Sequence, residues 1–207
     1  MQTRSRKVAV LLFDEVDALD VVGPLSVLSQ AGRHWNWRPF KAMLASRDGG
    51  AVVTRDQIEL AAGYSFESCP QCDGLLVPGG YGARALLGDE RVVSWVGARA
   101  AEASWVLSVG WGTTLLAKSG ALAGRCVATT PEVAAIVAST DAGATADEAS
   151  VAYRQSEKFH SAATSYSSID CALQVVEQVL GKGIAARAAR ELGHPRASAE
   201  RIEVLVP

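Results

Sequence analysis

The sequence lacks any apolar run long enough to cross a membrane. None of its stretches approaches the roughly 18 consecutive apolar residues that a spanning helix needs. The first residues, MQTRSRKVAVLLF, form a polar lead-in to a strand and do not have the pattern of a signal peptide. We therefore expect a cytoplasmic protein with no membrane partner.

An excess of positive charge is also missing. The chain has 20 Lys and Arg residues against 22 Asp and Glu residues, for a net charge of −2, and its Arg residues are scattered. A nucleic-acid-binding domain normally carries a basic stripe or patch. Nucleic acid is therefore not expected as a partner.

Cysteine is scarce, and only Cys69 and Cys72 have a suggestive spacing among the four in the chain. A single C-x-x-C can be a redox pair or half of a zinc site. A closed zinc site needs two further ligands, and no second C-x-x-C and no H-x-x-x-H is present. We interpret the two thiols as incidental residues in a loop before a strand.

The chain does have the composition of a globular protein with a substantial buried sheet. Of its 207 residues, 49% are hydrophobic and 20% are charged, which is ordinary for a globular domain. A chain of this length can bury most of its apolar surface in one core. No repeat or linker divides it, so we expect residues 1–207 to form a single domain.

The first strand and first helix place an acidic residue at a position where sites form. Lys7–Phe13 is a continuous apolar run, as in a strand buried on both faces of a parallel sheet. A helix running to about Ala31 follows, and Pro24 is compatible with it only near its start or at a kink. Asp20 then lies in the first turn, at the carboxyl edge of the first strand, and ligands bind at that edge in open α/β sheets.

The remaining pattern alternates strands with helices. We predict strands at 40–46, 74–78, 105–109, 126–130, 150–154 and 158–162, and a hairpin-like excursion at 51–60. We predict helices at 89–103 and 132–138, a long helix with an apolar stripe of Ile169, Leu173, Val176 and Leu180, and a helix over 182–192 that continues past Gly181 and Gly183. A loop is expected at 141–149, and an edge strand or tail at 201–206. This order predicts a three-layer α/β sandwich with a mostly parallel sheet. A dinucleotide-binding Rossmann domain is disfavoured because no G-x-G-x-x-G directly follows the first strand.

The stretch LSVGWGTT, residues 107–114, has the pattern of a nucleophile elbow. The apolar run Trp105–Val109 ends abruptly at Gly110-Trp111-Gly112 and gives way to a helical segment. Such a strand, sharp turn and helix normally presents a Ser or Cys at its tip, beside free N–H groups that can hold an oxyanion. Here the tip residue is Gly110, so the frame of a catalytic site lacks its expected nucleophile.

Several motifs in this order resemble those of the ThiJ/PfpI superfamily, which has a class I glutamine-amidotransferase-like, flavodoxin-related fold. The resemblance covers roughly Lys7 to Leu180 and is nearest to the isonitrile hydratases and the amidase-like domains of some AraC-type regulators. Besides the first strand, the motifs are Leu19-Asp20-x-x-Gly23-Pro24, Leu76-Val77-Pro78-Gly79-Gly80, Ser108-Val109-Gly110-x-Gly112, Gly124-Arg125-x-Val127-x-Thr129-Thr130 and Ser168-Ile169-Asp170.

The resemblance implies a site built around the elbow. It implies a nucleophilic Cys where this chain has Gly110, an acidic partner at Asp20, and oxyanion donors from the Gly79-Gly80 turn and the elbow backbone. Thr130 stands where many relatives carry His. The resemblance also implies a homodimer, and it implies no metal or organic cofactor.

Four further residues become candidates through the same resemblance. His160, Thr164, Ser165 and Tyr166 lie in the segment that borders the pocket in relatives. His160 can equally be an ordinary strand histidine. Tyr81 follows the glycine turn and either donates a hydrogen bond across the pocket or only covers it.

The absent nucleophile narrows the chemistry. Glycine cannot attack a carbon centre, so a covalent step of the usual kind is excluded. Asp20, if buried beside the elbow, has its pKa raised by desolvation, which suits a general acid or base. Otherwise it only caps the first helix or bonds to backbone N–H groups at the helix start. Trp111 is a candidate stacking wall in the volume that the missing side chain leaves open.

Two functions stay open at this level. One is an enzyme without a covalent step, in which Asp20 moves protons on a small organic substrate, as in a hydratase, lyase, isomerase or cyclisation catalyst. The other is a ligand-binding or sensor protein that kept only the scaffold. An engineered Cys→Gly replacement is disfavoured because Trp111 and Thr130 also depart from the family. The joint change at Gly110, Trp111 and Thr130 favours a rebuilt pocket over decay of the site, and we therefore favour the enzyme.

Overall fold

The computed structural model describes residues 4–33, 37–140, 143–147 and 153–195. Its strands are β1 (Arg6–Leu11), β2 (Phe40–Ser46), β3 (Val52–Val53), β4 (Glu59–Leu60), β5 (Tyr64–Ser65), β6 (Gly74–Val77), β7 (Trp105–Val109), β8 (Cys126–Ala128), β9 (Thr145–Asp147), β10 (Tyr153–Ser156) and β11 (Phe159–Ala162). Its helices are α1 (Ala18–Gln30), α2 (Gly82–Leu86), α3 (Glu90–Glu102), α4 (Gly112–Lys118), α5 (Pro131–Thr140), α6 (Ser165–Leu180) and α7 (Lys182–Glu191).

The main sheet has the strand order β10-β11-β7-β6-β1-β2-β5. All its neighbouring strands run parallel except β10 and β11, which form an antiparallel pair. Helices α1, α6 and α7 pack together, and so do α3, α4 and α5. The central order β2-β1-β6-β7-β11 is the flavodoxin-like order. From β1 the chain first adds β2 on one side, and it then adds β6, β7 and β11 on the other side, so the switch point lies between β1 and β6. The predicted three-layer, mostly parallel α/β sandwich is confirmed.

The core is centred on strands buried on both faces. Residues Val8–Leu11 of β1 are 0% exposed, which explains why this strand reads as a continuous apolar run. Gly74 of β6 pairs with Trp105 of β7, and a β-carbon on Gly74 would lie 2.1 Å from the Trp105 ring. Glycine at this position therefore makes room for a buried indole, whose edge meets Phe40 at a centroid distance of 6.2 Å.

Helix α1 contradicts the expectation that Pro24 lies near the helix start, whereas the alternative of a kink at Pro24 stays a prediction. The helix runs from Ala18 to Gln30 with Pro24 in its interior. Proline removes the donor that would bond to the carbonyl of Asp20 one turn earlier. Packing offsets that loss, since Gly23 and Pro24 are buried and the β-carbon position of Gly23 lies 3.4 Å from Ile169 on α6.

The segment after α5 was expected to be a loop and contains a strand. Residues Thr145–Asp147 form β9, which pairs in parallel with β8. The small and polar residues of this segment show no alternation of apolar and polar positions, so only the backbone pairing with β8 defines the strand. The strand predicted at 126–130 is shorter and ends at Ala128, and the strand predicted at 150–154 is described only from Tyr153.

Two further differences concern short elements and a helix break. Strand β5 and helix α2 have two and five residues and were not predicted. Helices α6 and α7 are separate because Gly181 adopts a φ of 94° between them, whereas Gly183 lies inside α7. The predicted edge strand or tail at 201–206 lies outside the described residues.

Within the described ranges, no helix is both long and apolar enough to cross a membrane.

Candidate functional site

The turn between β7 and α4 has the geometry of an elbow. Gly110 adopts a φ of 46°; its N–H donates to the carbonyl of Ala162 at 2.9 Å, and its carbonyl accepts from Thr113 at 3.1 Å. A β-carbon on Gly110 would find the Ala163 carbonyl oxygen as its nearest neighbour, at 3.7 Å. The backbone is therefore held in a left-handed conformation, with open space in front of its tip.

The glycine turn after β6 lies directly against this elbow. A β-carbon on Gly79 would approach the carboxyl oxygen Oδ2 of Asp20 to 2.6 Å and the carbonyl oxygen of Val109 to 2.8 Å. Contacts of this length exclude any side chain. Glycine at position 79 thus brings the first helix, the turn and the elbow together.

Asp20 is buried at this junction, with 2% of its surface exposed. Its Oδ2 accepts a hydrogen bond from the backbone N–H of Gly79 at 2.9 Å, whereas Oδ1 has no hydrogen-bond partner. The carboxyl therefore bridges α1 to the glycine turn and does not cap α1, whose N-cap residue is Asp17.

Burial raises the pKa of Asp20 to about 6. Desolvation is the largest cause because the buried site disfavours the charged form. The nearby Ser165 hydroxyl lowers the pKa, the charge of Asp17 raises it, and the Gly79 N–H lowers it. The Ser165 hydroxyl lies close enough to act on the carboxyl, although Oδ1 accepts no hydrogen bond from it. Near neutral pH this carboxyl can therefore both accept and return a proton.

A cavity of about 530 Å³ opens over the elbow. It is lined by Asp17, Asp20, Gly79, Gly80, Val109, Gly110, Trp111, Thr130, Pro131, Glu132, Ala163, Thr164 and Ser165. The structure thus brings together most of the residues singled out from the sequence, from five separate parts of the chain. Four of these parts follow β1, β6, β7 and β11, whose carboxyl ends share one edge of the main sheet. The fifth, which contains Thr130, follows β8.

Three of the candidate residues lie outside this lining. Tyr81 is 59% exposed and lies below the guanidinium of Arg55. His160 is 1% exposed, and its Nε2 is 2.8 Å from Oε1 of Gln178 on α6. Tyr166 is 64% exposed on the first turn of α6. The structure does not bring these three side chains to the space over Gly110.

The reasons differ for the three residues. Side chains alternate along a strand, and the position of His160 on β11 directs its ring toward α6. Burial lowers the pKa of this imidazole, as expected for a neutral core histidine. Tyr81 and Tyr166 directly follow the lining residues Gly80 and Ser165, and their side chains are exposed to solvent.

Two carboxyl residues of the lining were missed from the sequence. Asp17 precedes α1, and Glu132 lies in the first turn of α5. The available signal was that both stand where a helix begins just after a strand, because helix N-termini favour acidic residues. Burial raises the pKa of Asp17; Arg55 lowers it and Asp56 raises it further.

Trp111 forms one wall of the cavity, and its surroundings hold it in place. Its carbonyl accepts from the Thr114 side chain at 2.7 Å, and the Arg84 guanidinium lies 5.8 Å from the centre of its ring. No hydrogen bond within the described part of the chain uses its backbone N–H, as is usual at the start of a helix. This N–H is available to a bound oxygen or nitrogen atom.

The C-x-x-C pair lies apart from this site. Cys69 and Cys72 are buried free thiols, and the Cys72 thiol is 3.2 Å from Oε1 of Glu102. Burial and this carboxylate raise the pKa of Cys72 to about 12, and burial raises the pKa of Cys69. Such thiols are poor nucleophiles and poor metal ligands. Among the described residues no three His, Cys, Asp or Glu side chains are grouped as metal ligands.

Comparison with protein families gives a match that spans most of the chain. Residues 6–178 match the model of the DJ-1/PfpI family. The chain belongs to the DJ-1/PfpI family. A match of this extent includes every strand of the main sheet together with the elbow.

The isonitrile hydratase of Pseudomonas putida is 32% identical to this DJ-1/PfpI protein over 119 residues. The aligned part covers 58% of the chain and 50% of that enzyme, so the match spans only half of its length.

Solved structures share the fold. A ThiJ/PfpI family protein from Pseudomonas syringae superposes with a TM-score of 0.79 at 18% identity, covering 94% of this chain and 77% of the other. Drosophila melanogaster DJ-1beta also gives 0.79, at 17% identity over 92% and 99%. An AraC family transcriptional regulator from Pseudomonas putida gives 0.73, at 21% identity over 90% and 99%.

Proposed function

We propose that this protein is a small-molecule enzyme that works without a covalent intermediate, with Asp20 as its general acid and base. The observation that carries this proposal is the state of the Asp20 carboxyl. It is 2% exposed, and one of its oxygens has no hydrogen-bond partner. It also lines a cavity large enough for a small organic molecule. Leaving a buried carboxyl oxygen unpaired is costly, and a substrate or water in the cavity would supply the missing partner.

The reaction class follows from what the site contains. A carboxylate with a pKa of about 6 can take a proton from water or from a carbon acid and return it later. The free N–H of Trp111 can hold the atom on which negative charge develops. Gly110 supplies no nucleophile. Hydration, elimination, isomerisation and cyclisation need only these proton transfers.

Among these reactions, the sequence similarity to an isonitrile hydratase supports hydration. The relative with 32% identity is an isonitrile hydratase, whose reaction class adds water to a small neutral molecule. Half of that enzyme lies outside the alignment, so the assignment rests on the cavity described above. An organic isocyanide is accordingly the first substrate to assay.

The test is the Asp20→Asn variant. The purified protein is assayed by NMR with a panel of isocyanides, nitriles and small carbonyl compounds. With the substrate found in this way, we expect Asp20→Asn to lose about 10²- to 10⁴-fold in kcat, as for removal of a general acid or base. We also expect kcat/KM of the natural protein to rise with pH through about 6, as Asp20 ionises.

Asp17→Asn is the matched control, because Asp17 lines the same cavity and is more exposed than Asp20. It removes a charge that raises the pKa of Asp20, so the pH profile of this variant should move to lower pH. We expect it to retain most of the activity. An Asp20→Asn variant that is folded and turns over at the natural rate would contradict the proposed mechanism.

A ligand-binding protein without catalysis is the second candidate, and Gly110 is the observation that favours it. The space over Gly110 is open, so a molecule can be held there without reacting. This candidate is supported if compounds from the same panel bind over the elbow and none is converted. Conversion of any of them at a catalytic rate excludes it.

A further inference from the structure

A second cavity lies on the other side of the glycine turn, and the proposed reaction does not use it. Its volume is about 700 Å³, larger than that of the cavity over Gly110. Segments after the carboxyl ends of β1 and β2, the β3 region and helix α2 enclose it. Its apolar walls are formed by Leu11, Leu12, Phe13, Ala51, Val52, Phe66, Ala85, Leu86 and Val92.

The floor of this second cavity is formed by closely packed apolar side chains. Phe13, Val52 and Phe66 are each no more than 6% exposed. Phe66 also stacks on Trp95 with a centroid distance of 4.5 Å and an interplanar angle of 14°. A preformed apolar floor of this kind binds an apolar group at little cost in side-chain ordering.

The lining of this second cavity includes six charged side chains, and half of them are already paired. Arg47 bonds to Asp89 at 2.7 Å, and Asp48 bonds to Arg91 at 3.0 Å. The remaining lining charges are Asp14, Glu15 and Arg84, none of which has an oppositely charged partner within the described residues. Oδ1 of Asp14 accepts a hydrogen bond from the N–H of Val53 at 2.9 Å. The cavity therefore presents two carboxyl groups and a guanidinium that have no oppositely charged partner among the described residues.

These opposite charges stand on two segments that are bonded to each other. The carbonyl of Glu15 accepts from the N–H of Gly82 at 3.3 Å, and the N–H of Glu15 donates to Val53 at 2.9 Å. Arg84 follows Gly82 by two residues. Glu15 is held at a φ of 61°, a conformation that is uncommon for such a side chain and recurs at ligand-binding positions.

We propose that this cavity is a binding site for an apolar α-amino acid. The ammonium group would pair with Glu15 and Asp14, the carboxylate with Arg84, and the apolar side chain would lie on the floor formed by Phe13 and Phe66. A zwitterion fits this charge arrangement because it satisfies both signs at one carbon atom. A molecule with only one charge leaves either the guanidinium or the carboxylates unpaired.

Binding of a ligand in the second cavity would change the surroundings of Trp111 at the elbow. The Arg84 guanidinium lies over the ring of Trp111, and Trp111 lines the cavity over Gly110. A carboxylate that draws Arg84 into the second cavity removes a cation from this indole, which gives binding an optical signal in the fluorescence of Trp111.

The experiment compares three ligands of the same carbon skeleton by isothermal titration calorimetry on the whole chain. They are L-leucine, 3-methylbutylamine, which lacks its carboxylate, and 4-methylpentanoate, which lacks its ammonium. We expect L-leucine to bind about tenfold or more tightly than either, because each charge-assisted contact contributes on this scale. Equal binding of all three, or no binding of leucine at millimolar concentration, overturns the proposal.

Variants locate the bound molecule. Arg84→Met should weaken leucine binding about tenfold or more, whereas Lys41→Met, which removes an exposed cation from β2 outside both cavities, should leave it unchanged. Ala51→Trp fills the second cavity and should abolish binding. Asp20→Asn should leave it intact.

Loss of binding in Asp20→Asn, or full binding in Ala51→Trp, would place leucine in the other cavity and refute the proposal. A cooperative thermal transition in each variant establishes that it is folded.

Discussion

At the scale of one residue, the burial of the Asp20 carboxyl has a cost in stability. Its carboxyl is removed from water, bonds to one N–H and leaves the other oxygen unpaired. Such a group costs free energy in its charged form. Proteins tolerate this cost mainly where a reaction or ligand uses the group. This cost is consistent with the proposed role of Asp20, and its hydrogen bond to Gly79 shows that it does not cap α1.

Because burial of the ionised Asp20 carboxyl costs free energy, we predict that Asp20→Asn raises the free energy of unfolding by an amount that depends on pH. The pKa of Asp20 is raised to about 6 in the fold from 3.8, so its ionisation destabilises the folded state as the pH rises from about 4 to 6. At pH 7 the penalty is at most about 3 kcal/mol. Asparagine does not ionise and avoids it. We therefore expect the variant to be more stable than the natural protein at pH 7 and nearly equal to it at pH 4.

Urea denaturation of both proteins at pH 4 and pH 7 measures this difference. Other carboxyls titrate in both proteins and largely cancel in the comparison. A stability difference that is the same at both pH values would show that Asp20 keeps its ordinary pKa in the fold.

At the scale of elements, the cavity over Gly110 is made of helix beginnings. Helices α1, α4, α5 and α6 all begin beside it, directly after strands β1, β7, β8 and β11 or a short turn. Each helix start leaves N–H groups unpaired. Some are used within the fold: Thr164 caps α6 by accepting from the N–H of Ser167. The N–H of Trp111 has no hydrogen-bond partner among the described residues.

The cap of α6 allows a prediction at this scale. Thr164 and Ser167 form a reciprocal capping box. Thr164→Ala removes the side-chain acceptor and should lower the free energy of unfolding by about 1 kcal/mol. Thr164→Ser keeps the hydroxyl and should lose less than half of that.

Equilibrium urea unfolding of the two variants checks this expectation. If serine and alanine lower stability equally, the cap hydrogen bonds do not contribute, and the threonine methyl group is the part that matters.

At the scale of the whole molecule, six large apolar side chains stay exposed within the described residues: Leu19, Val22, Val53, Ile58, Tyr81 and Tyr166. Resemblance to the family led us to expect a homodimer, and the single chain does not test that expectation. We predict a particle of twice the 21.7 kDa chain mass by light scattering coupled to size exclusion. A mass of one chain at micromolar concentration would contradict it. The extension of one domain over residues 1–207 also stays a prediction.

Much of the architecture could be predicted because periodicity and strand ends are local. Buried parallel strands such as Lys7–Phe13 appear as uninterrupted apolar runs, and the elbow appears as glycines after such a run. Elements without a side-chain pattern, such as β5 and β9, escaped because backbone pairing alone forms them. Helix α1 runs through Pro24 because its contact with α6 compensates for a missing hydrogen bond.

The sequence by itself determined the fold class, the carboxyl edge where the site lies, and the absence of a nucleophile at Gly110. These follow from residue types and their order. Only the tertiary structure decided that Asp20 bonds to Gly79, that Asp17 and Glu132 share its cavity, and that His160 turns to Gln178. It also decided that Arg47 forms an ion pair with Asp89 and that the Arg84 guanidinium lies over the Trp111 ring. The reason is physical: burial and charge pairing depend on which distant segments meet, and no local pattern encodes that.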